Sequence, residues 1–214
     1  MPYENIIVDF DGTISDSRQD IARAQLWALE RLGITGYREE DLYPFIGLPL
    51  VETFRRLLPP TMYDRIEEAA ALYSDYYPPR SLLTTRLFPG VRGTLESLRA
   101  RGKHIAVAST KRGQGIRRAT DHFGITPFFD RLQGSEGLPF KPDPAIINLI
   151  MNEEGWDPRL TLMVGDTSMD VLAGKGAGIA TCGVTYGAMS EEQIQAAGPD
   201  YIIGDFAHLL PLVG

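Results

Sequence analysis

Ile6-Ile7-Val8-Asp9-Phe10-Asp11-Gly12-Thr13 is the stretch on which the reading of this chain turns. Three consecutive β-branched apolar residues are too few for a useful helix. They suit a strand buried on both faces, as in a parallel sheet. Two carboxylates close the run two residues apart, and Gly12 follows at once. Alternate side chains of extended backbone share a face, so Asp9 and Asp11 are expected to aim into one space. Ligands of open α/β sheets bind beyond the carboxyl ends of the strands, which makes this edge the place for chemistry. Two acids converging there need a cation, a shared proton or good solvation. A strand-ending turn with solvated acids is the plain alternative.

Outward from that strand the chain first turns helical. Ser17-x-x-Asp20 reads as a variant capping box. Ile21, Ala24, Ala28, Leu29 and Leu32 then form one apolar stripe, closed by Gly33. A second stripe holds Leu50, Val51, Phe54, Leu57 and Leu58; a third holds Met62, Ile66, Ala69, Ala70, Tyr73, Tyr76 and Tyr77. No strand is expected between about residues 16 and 87. At Phe88-Pro89-Gly90 the composition changes, and strands and helices alternate from there on. Ile105–Ala108 reads as a buried strand ending at Ser109, and a weaker strand lies around Phe129–Leu132. Pro144 suits the N1 position of a helix. Leu160–Val164 is a further strand, ending at Gly165-Asp166. Ser190-x-x-Gln193 caps a late helix, and Tyr201-Ile202-Ile203 makes a last short strand. The expected fold is α/β: a Rossmann-like parallel sheet core, residues 1–15 and 88–214, with an inserted all-helical cap domain, residues 16–87.

The 214 residues are 43% hydrophobic and 23% charged, with a net charge of −7, which offers no basic footprint for nucleic acid or an anionic membrane. A single cysteine, Cys182, excludes an intrachain disulfide and a thiolate metal cluster. The first strand begins too early for a signal peptide and no apolar run reaches 18 residues, so a cytoplasmic protein is expected. Cys182, His104, His122 and His208 read as structural or surface residues, and Tyr73, Tyr76 and Tyr77 as cap packing.

Each strong strand ends in a polar cluster: Asp9 with Asp11, then Ser109, then Asp166 with Asp170. A parallel sheet brings these ends to one edge. Four carboxylates gathered there would repel unless a divalent cation neutralises them. All-oxygen ligation, with neither His nor Cys nearby, points to Mg²⁺.

The ordered set Asp9-Phe10-Asp11-Gly12-Thr13, Ser109, Lys141-Pro142-Asp143-Pro144 and Gly165-Asp166-Thr167-Ser168-Met169-Asp170 resembles the haloacid-dehalogenase superfamily of phosphatases. It looks most like the phosphoglycolate-phosphatase-like branch, over essentially the whole chain. The resemblance implies that Asp9 is the nucleophile, taking the phosphoryl group as an aspartyl-phosphate. It implies that Asp11 protonates the leaving oxygen and later deprotonates the attacking water. Mg²⁺ is implied on Asp9, the Asp11 backbone carbonyl and Asp166, with Asp170 in support. Ser109 would donate to a phosphoryl oxygen, and Lys141 would neutralise phosphate charge and orient Asp9. Gly12 and Thr13, with Thr110 and Lys111, fall at the implied phosphate cradle; Thr110 stands where many members of the branch carry Asn.

Rival readings differ at single residues. A dehalogenase lacks an acid at the place of Asp11. A sugar-phosphate mutase of the β-phosphoglucomutase kind carries Gly-x-Ser-Arg where this chain reads Gly47-Leu48-Pro49-Leu50. A non-enzymatic phospho-acceptor domain lacks the insert. Hydrolysis of a small phosphate ester is therefore expected, 2-phosphoglycolate first among candidates, with nucleoside monophosphates and pyrophosphate open. Arg80 and Arg86 are candidates for holding a substrate carboxylate. The two short crossings, near Ser15-Asp16 and Arg86–Phe88, suit a hinged lid, and a monomer or homodimer is expected.

Overall fold

The computed structural model describes residues 3–214. Its strands are β1 (Asn5–Val8), β2 (Ser15–Asp16), β3 (Arg86–Leu87), β4 (His104–Ala108), β5 (Arg131–Gln133), β6 (Thr161–Gly165), β7 (Ala180–Val184) and β8 (Tyr201–Ile203). Six of them form one parallel sheet in the order β5-β4-β1-β6-β7-β8. The strand that opens the chain is thus central. Val8 lies opposite Val107 on one side and Val164 on the other. Equal register brings Asp9, Ser109 and Asp166 off the sheet at nearly the same height. Ile6, Ile7 and Val8 are fully buried, each contributing about 1.5–3 kcal/mol of apolar burial.

Two compact units divide the chain: Met1–Ser15 with Leu87–Gly214, and Asp16–Arg86. The second is built from α1 (Arg18–Arg31), α2 (Glu39–Leu42), α3 (Leu50–Leu57) and α4 (Ile66–Tyr76). Its core joins Ile21, Ala24, Ala28 and Leu29 to Phe54, Leu57, Ile66, Ala69, Tyr73 and Tyr77. Helices α5 (Val91–Ala100), α6 (Gly113–His122), α7 (Ala145–Glu154), α8 (Ser168–Gly176), α9 (Glu191–Ala197) and α10 (Leu209–Val213) belong to the first. On one side of the sheet, Ile146, Ile147 and Ile150 of α7 pack on Ile7, Ala106, Ala108 and Met163. The architecture is the expected α/β one, a parallel core with an inserted helical cap. No helix among the described residues is long and apolar enough to cross a membrane.

Several local readings are corrected. Residues 16–87 are not free of strand: β2 and β3 pair as a two-stranded ribbon where the chain crosses between the units. Ser17 occupies the N-cap of α1, but its side chain makes no capping bond there. Val51 points outward, 38% exposed. Pro144 is the N-cap residue of α7, one position before N1. The Ser190–Gln193 capping box forms as read.

Asp20 has another partner. Its carboxylate accepts from the backbone N–H of Thr84 and Thr85 at 3.0 Å each and from both hydroxyls at 2.7 Å, pinning the entry of the second unit to its exit. Burial raises the pKa, yet these four donors outweigh it and hold the carboxyl below its ordinary value. Asp20→Ala should therefore cost about 3 kcal/mol in urea unfolding, since two backbone donors lose a charged acceptor. A lowered folded pKa also fixes the sign with pH. The wild-type contribution is full above the unfolded value of about 3.9 and is lost as pH falls below it.

Candidate active site

Asp9 sits one residue past β1, 5% exposed, its N–H donated to Val164 O at 2.9 Å. Lys141 comes to it from the loop before α7, followed by a cis peptide to Pro142. Its ammonium donates to Asp9 Oδ1 at 2.9 Å, to Ala108 O at 2.9 Å and to Asp170 Oδ1 at 2.5 Å. Asp166 leaves β6, and Asp170 lies on the first turn of α8, where it completes a capping box with Thr167. One oxygen from each of Asp9, Asp166 and Asp170 lies within 4.8 Å of the others, all three residues buried.

Three carboxylates face one ammonium, and all four side chains are buried. Burial, above all, pushes Asp166 up to about 8, with the charges of Asp170 and Asp9 adding to it. Burial likewise lifts Asp9 to about 6, although Lys141 pulls the other way. Burial would lower the Lys141 ammonium, but Asp170 and Asp9 overcome it and hold the pKa above its ordinary value. The site is short of positive charge. Its donors are hard carboxylate oxygens, with neither His nor Cys in the cluster, and each oxygen has lone pairs beyond the hydrogen bonds it accepts. That set fits Mg²⁺.

The chain around Asp166 is fitted closely. Gly12 has φ of 93°, and a Cβ there would stand 2.1 Å from Asp166 Oδ2, so only glycine serves. Thr13 Oγ1 donates to Asp166 Oδ1 at 3.0 Å, which engages its side chain in the acid cluster. On the far side Ala188 N donates to Asp166 Oδ2 at 2.7 Å, and a Cβ on Gly187 would fall 2.2 Å from Asp166 Cβ. Sequence reasoning found neither β7 nor the loop after it. The Tyr186-Gly187 pair after a run of small and β-branched residues was the available signal.

Asp11 is turned differently from Asp9. Its carboxylate takes the Lys111 ammonium at 2.8 and 3.1 Å and is not among the three clustered acids. Ser109 is buried, and its Oγ accepts from Lys111 N at 3.3 Å. Thr110 is half-buried, its carbonyl held by Ser135 Oγ at 2.8 Å. In the second unit, Arg80 lies over the Tyr76 ring at 4.1 Å and Arg86 donates to Thr85 O.

Residues 6–184 match the family model described as haloacid dehalogenase-like hydrolase. A 5'-nucleotidase of Pseudomonas aeruginosa is 35% identical over 97% of this chain and 94% of its own length. A phosphoglycolate phosphatase of Vibrio parahaemolyticus is 32% identical, over 97% and 95%. The pyrophosphatase PpaX of Halalkalibacterium halodurans is 30% identical, over 100% and 98%. Among solved structures, that of a predicted phosphatase from Clostridium acetobutylicum superposes with a TM-score of 0.90 at 26% identity, covering 98% of this chain and 97% of that one.

The raised acids make a prediction with a definite sign. Between the unfolded value of about 3.9 and the folded values near 6 and 8, the native state binds more protons than the unfolded one. Stability in chelator therefore falls as pH rises through that window. Thermal unfolding in EDTA should show a lower Tm near pH 8 than near pH 5, and Mg²⁺ should recover the loss at the higher pH. A Tm in EDTA that climbs between those values would contradict the charge deficit.

Proposed function

The chain belongs to the haloacid dehalogenase-like hydrolases and is a phosphatase, and from that premise we propose that it hydrolyses a small phosphate monoester through a phosphoryl group carried on Asp9. The observation that carries this reading is the Lys141 ammonium on Asp9 Oδ1, which aims a buried carboxylate whose other oxygen is left for attack. Asp9 attacks phosphorus, the ester P–O bond breaks, and Asp11 supplies the proton to the departing oxygen. A water molecule then attacks the same phosphorus, Asp11 takes its proton, and Asp9 is released with inorganic phosphate.

Other residues hold rather than react. Asp9, Asp166, Asp170 and the Asp11 carbonyl would hold Mg²⁺, which when bound offsets charge on the phosphoryl oxygens. Ser109 Oγ donates to one of those oxygens, and the backbone N–H groups of Phe10 and Asp11 receive another, the Gly12 N–H being donated to Ser15 O at 2.8 Å. Lys111, paired with Asp11, transfers to the arriving anion together with Thr110. Asp11 then exchanges its ammonium partner for a proton.

For the substrate, 2-phosphoglycolate is the first choice, supported by the resemblance and by the phosphoglycolate phosphatase among the relatives. A 5'-nucleotidase and a pyrophosphatase stand at like identity, so nucleoside monophosphates and pyrophosphate belong in the same panel.

Asp9→Asn keeps the shape and removes the attacking charge, so turnover should fall at least about 10⁴-fold while the thermal transition persists. Activity within tenfold of wild type would overturn the nucleophile. Asp11→Asn should lose far more activity on alkyl than on aryl phosphates, because only the poorer leaving group depends on protonation. Equal losses would remove Asp11 as the acid. Across the panel, kcat/KM should be highest for a small ester; a phosphopeptide or oligonucleotide at the top would refute the substrate class.

A further inference from the structure

Tyr186 has no part in the chemistry above, yet it closes a ring around Asp166. It stands two residues past β7, and its hydroxyl donates to the Thr13 carbonyl at 3.0 Å. Thr13 in turn donates its own hydroxyl to Asp166 Oδ1, and two residues beyond Tyr186 the Ala188 N–H takes Oδ2. The ring thus runs from Asp166 to Thr13, to Tyr186, along Gly187 to Ala188, and back to Asp166. Two donors, one on each oxygen, fix the rotation of the carboxylate about its Cβ–Cγ bond. The segments they lie on are tied together by the tyrosine hydroxyl, a bond that spans 173 residues of sequence.

The aromatic ring is anchored independently. It packs on Phe88 with centroids 4.7 Å apart at a tilt of 56°, and the Phe88 N–H donates to Ile14 O, next to Thr13. Burial of the phenol, with the Asp166 charge nearby, holds its proton in place, so the group remains a donor. Removing the hydroxyl alone leaves this packing intact. The effect of the bond can therefore be separated from that of the ring.

We propose that Tyr186 is a positioning residue of the metal centre, its hydroxyl locking the Thr13 turn to the 186–188 loop so that Asp166 meets Mg²⁺ already oriented. The inference rests on the reading that Asp9, Asp166 and Asp170 hold Mg²⁺. Groups that orient a metal ligand from behind typically change affinity 10–100-fold when removed.

The test is calorimetric titration of Mg²⁺ alone into the full chain, with no substrate or phosphate present. Tyr186→Phe should weaken the Mg²⁺ dissociation constant about tenfold or more, while kcat at saturating Mg²⁺ stays within about threefold of wild type. Thr13→Val removes the next link of the ring and should weaken it similarly. The double variant should lose less than the product of the two, because both act through one carboxylate. A tyrosine that merely packs would lower the Tm in EDTA and leave the Mg²⁺ constant unchanged. Asp166→Asn separates the two failures. If it abolishes Mg²⁺ binding while Tyr186→Phe and Thr13→Val bind as wild type does, the positioning role is overturned and the metal reading stands. If Asp166→Asn binds Mg²⁺ like wild type, the metal reading fails and the inference with it.

Discussion

A carboxylate taken out of water must find positive charge or keep its proton, and one edge of this protein is organised by three such groups with one lysine between two of them. The Lys141 ammonium touches Asp9, Asp170 and the Ala108 carbonyl, which consumes its three protons. Among the described residues no ammonium reaches Asp166, which relies on a hydroxyl and a backbone N–H. Desolvating charged groups costs several kcal/mol each, so the cluster is no source of stability by itself. The fold supplies that stability elsewhere, in the apolar strands beneath it. What the cluster provides is a fixed deficit of positive charge at a fixed place, a donor set that fits a divalent cation.

The sheet explains why residues so far apart in sequence meet. β1 is central, so its end is flanked by β4 on one side and β6 on the other. Each neighbour delivers a different function at the same height: a hydroxyl at Ser109, a carboxylate at Asp166. Lys141 and Asp170 arrive on helix-leading segments, and the Thr185–Met189 loop after β7 closes the far side. The charges and the groups that hold them therefore come from six pieces of chain, each a short step from a buried strand or helix start.

Much of this was legible because it is local. Ile6–Val8, Ile105–Ala108 and Leu160–Val164 are apolar runs that end in polar residues, and that pattern alone gave the strands, their direction and most of the acids. Asp20 was misread because its true donors, Thr84 and Thr85, are 64 and 65 residues away, and no local pattern records a partner at that distance. β7 was missed because Ala180-Thr181-Cys182-Gly183-Val184 contains small and polar residues. Gly183 is needed where Ile194 presses on the backbone, since a Cβ there would lie 2.3 Å from Ile194 Cγ2. Alternation puts Asp11 near Asp9, and its charge does act on Asp9, but the strand ends at Val8 and the Asp11 carboxylate is held by Lys111 rather than by Lys141.

The clamp of Asp20 on Thr84 and Thr85 also bears on how the sheet can be assembled. To the first unit, the second is simply a loop of about 70 residues between Ile14 and Phe88. Pairing β1 with β4 means closing roughly 100 residues of chain if that loop is open. If the insert has already joined its own ends, the effective loop is only about 30 residues. The difference is about 1 kcal/mol of chain entropy by the logarithmic closure law. One buried carboxylate in the insert thus shortens the chain as the central strand experiences it. The same clamp sets a geometric condition on any replacement of the insert: a substitute module must present its two ends side by side.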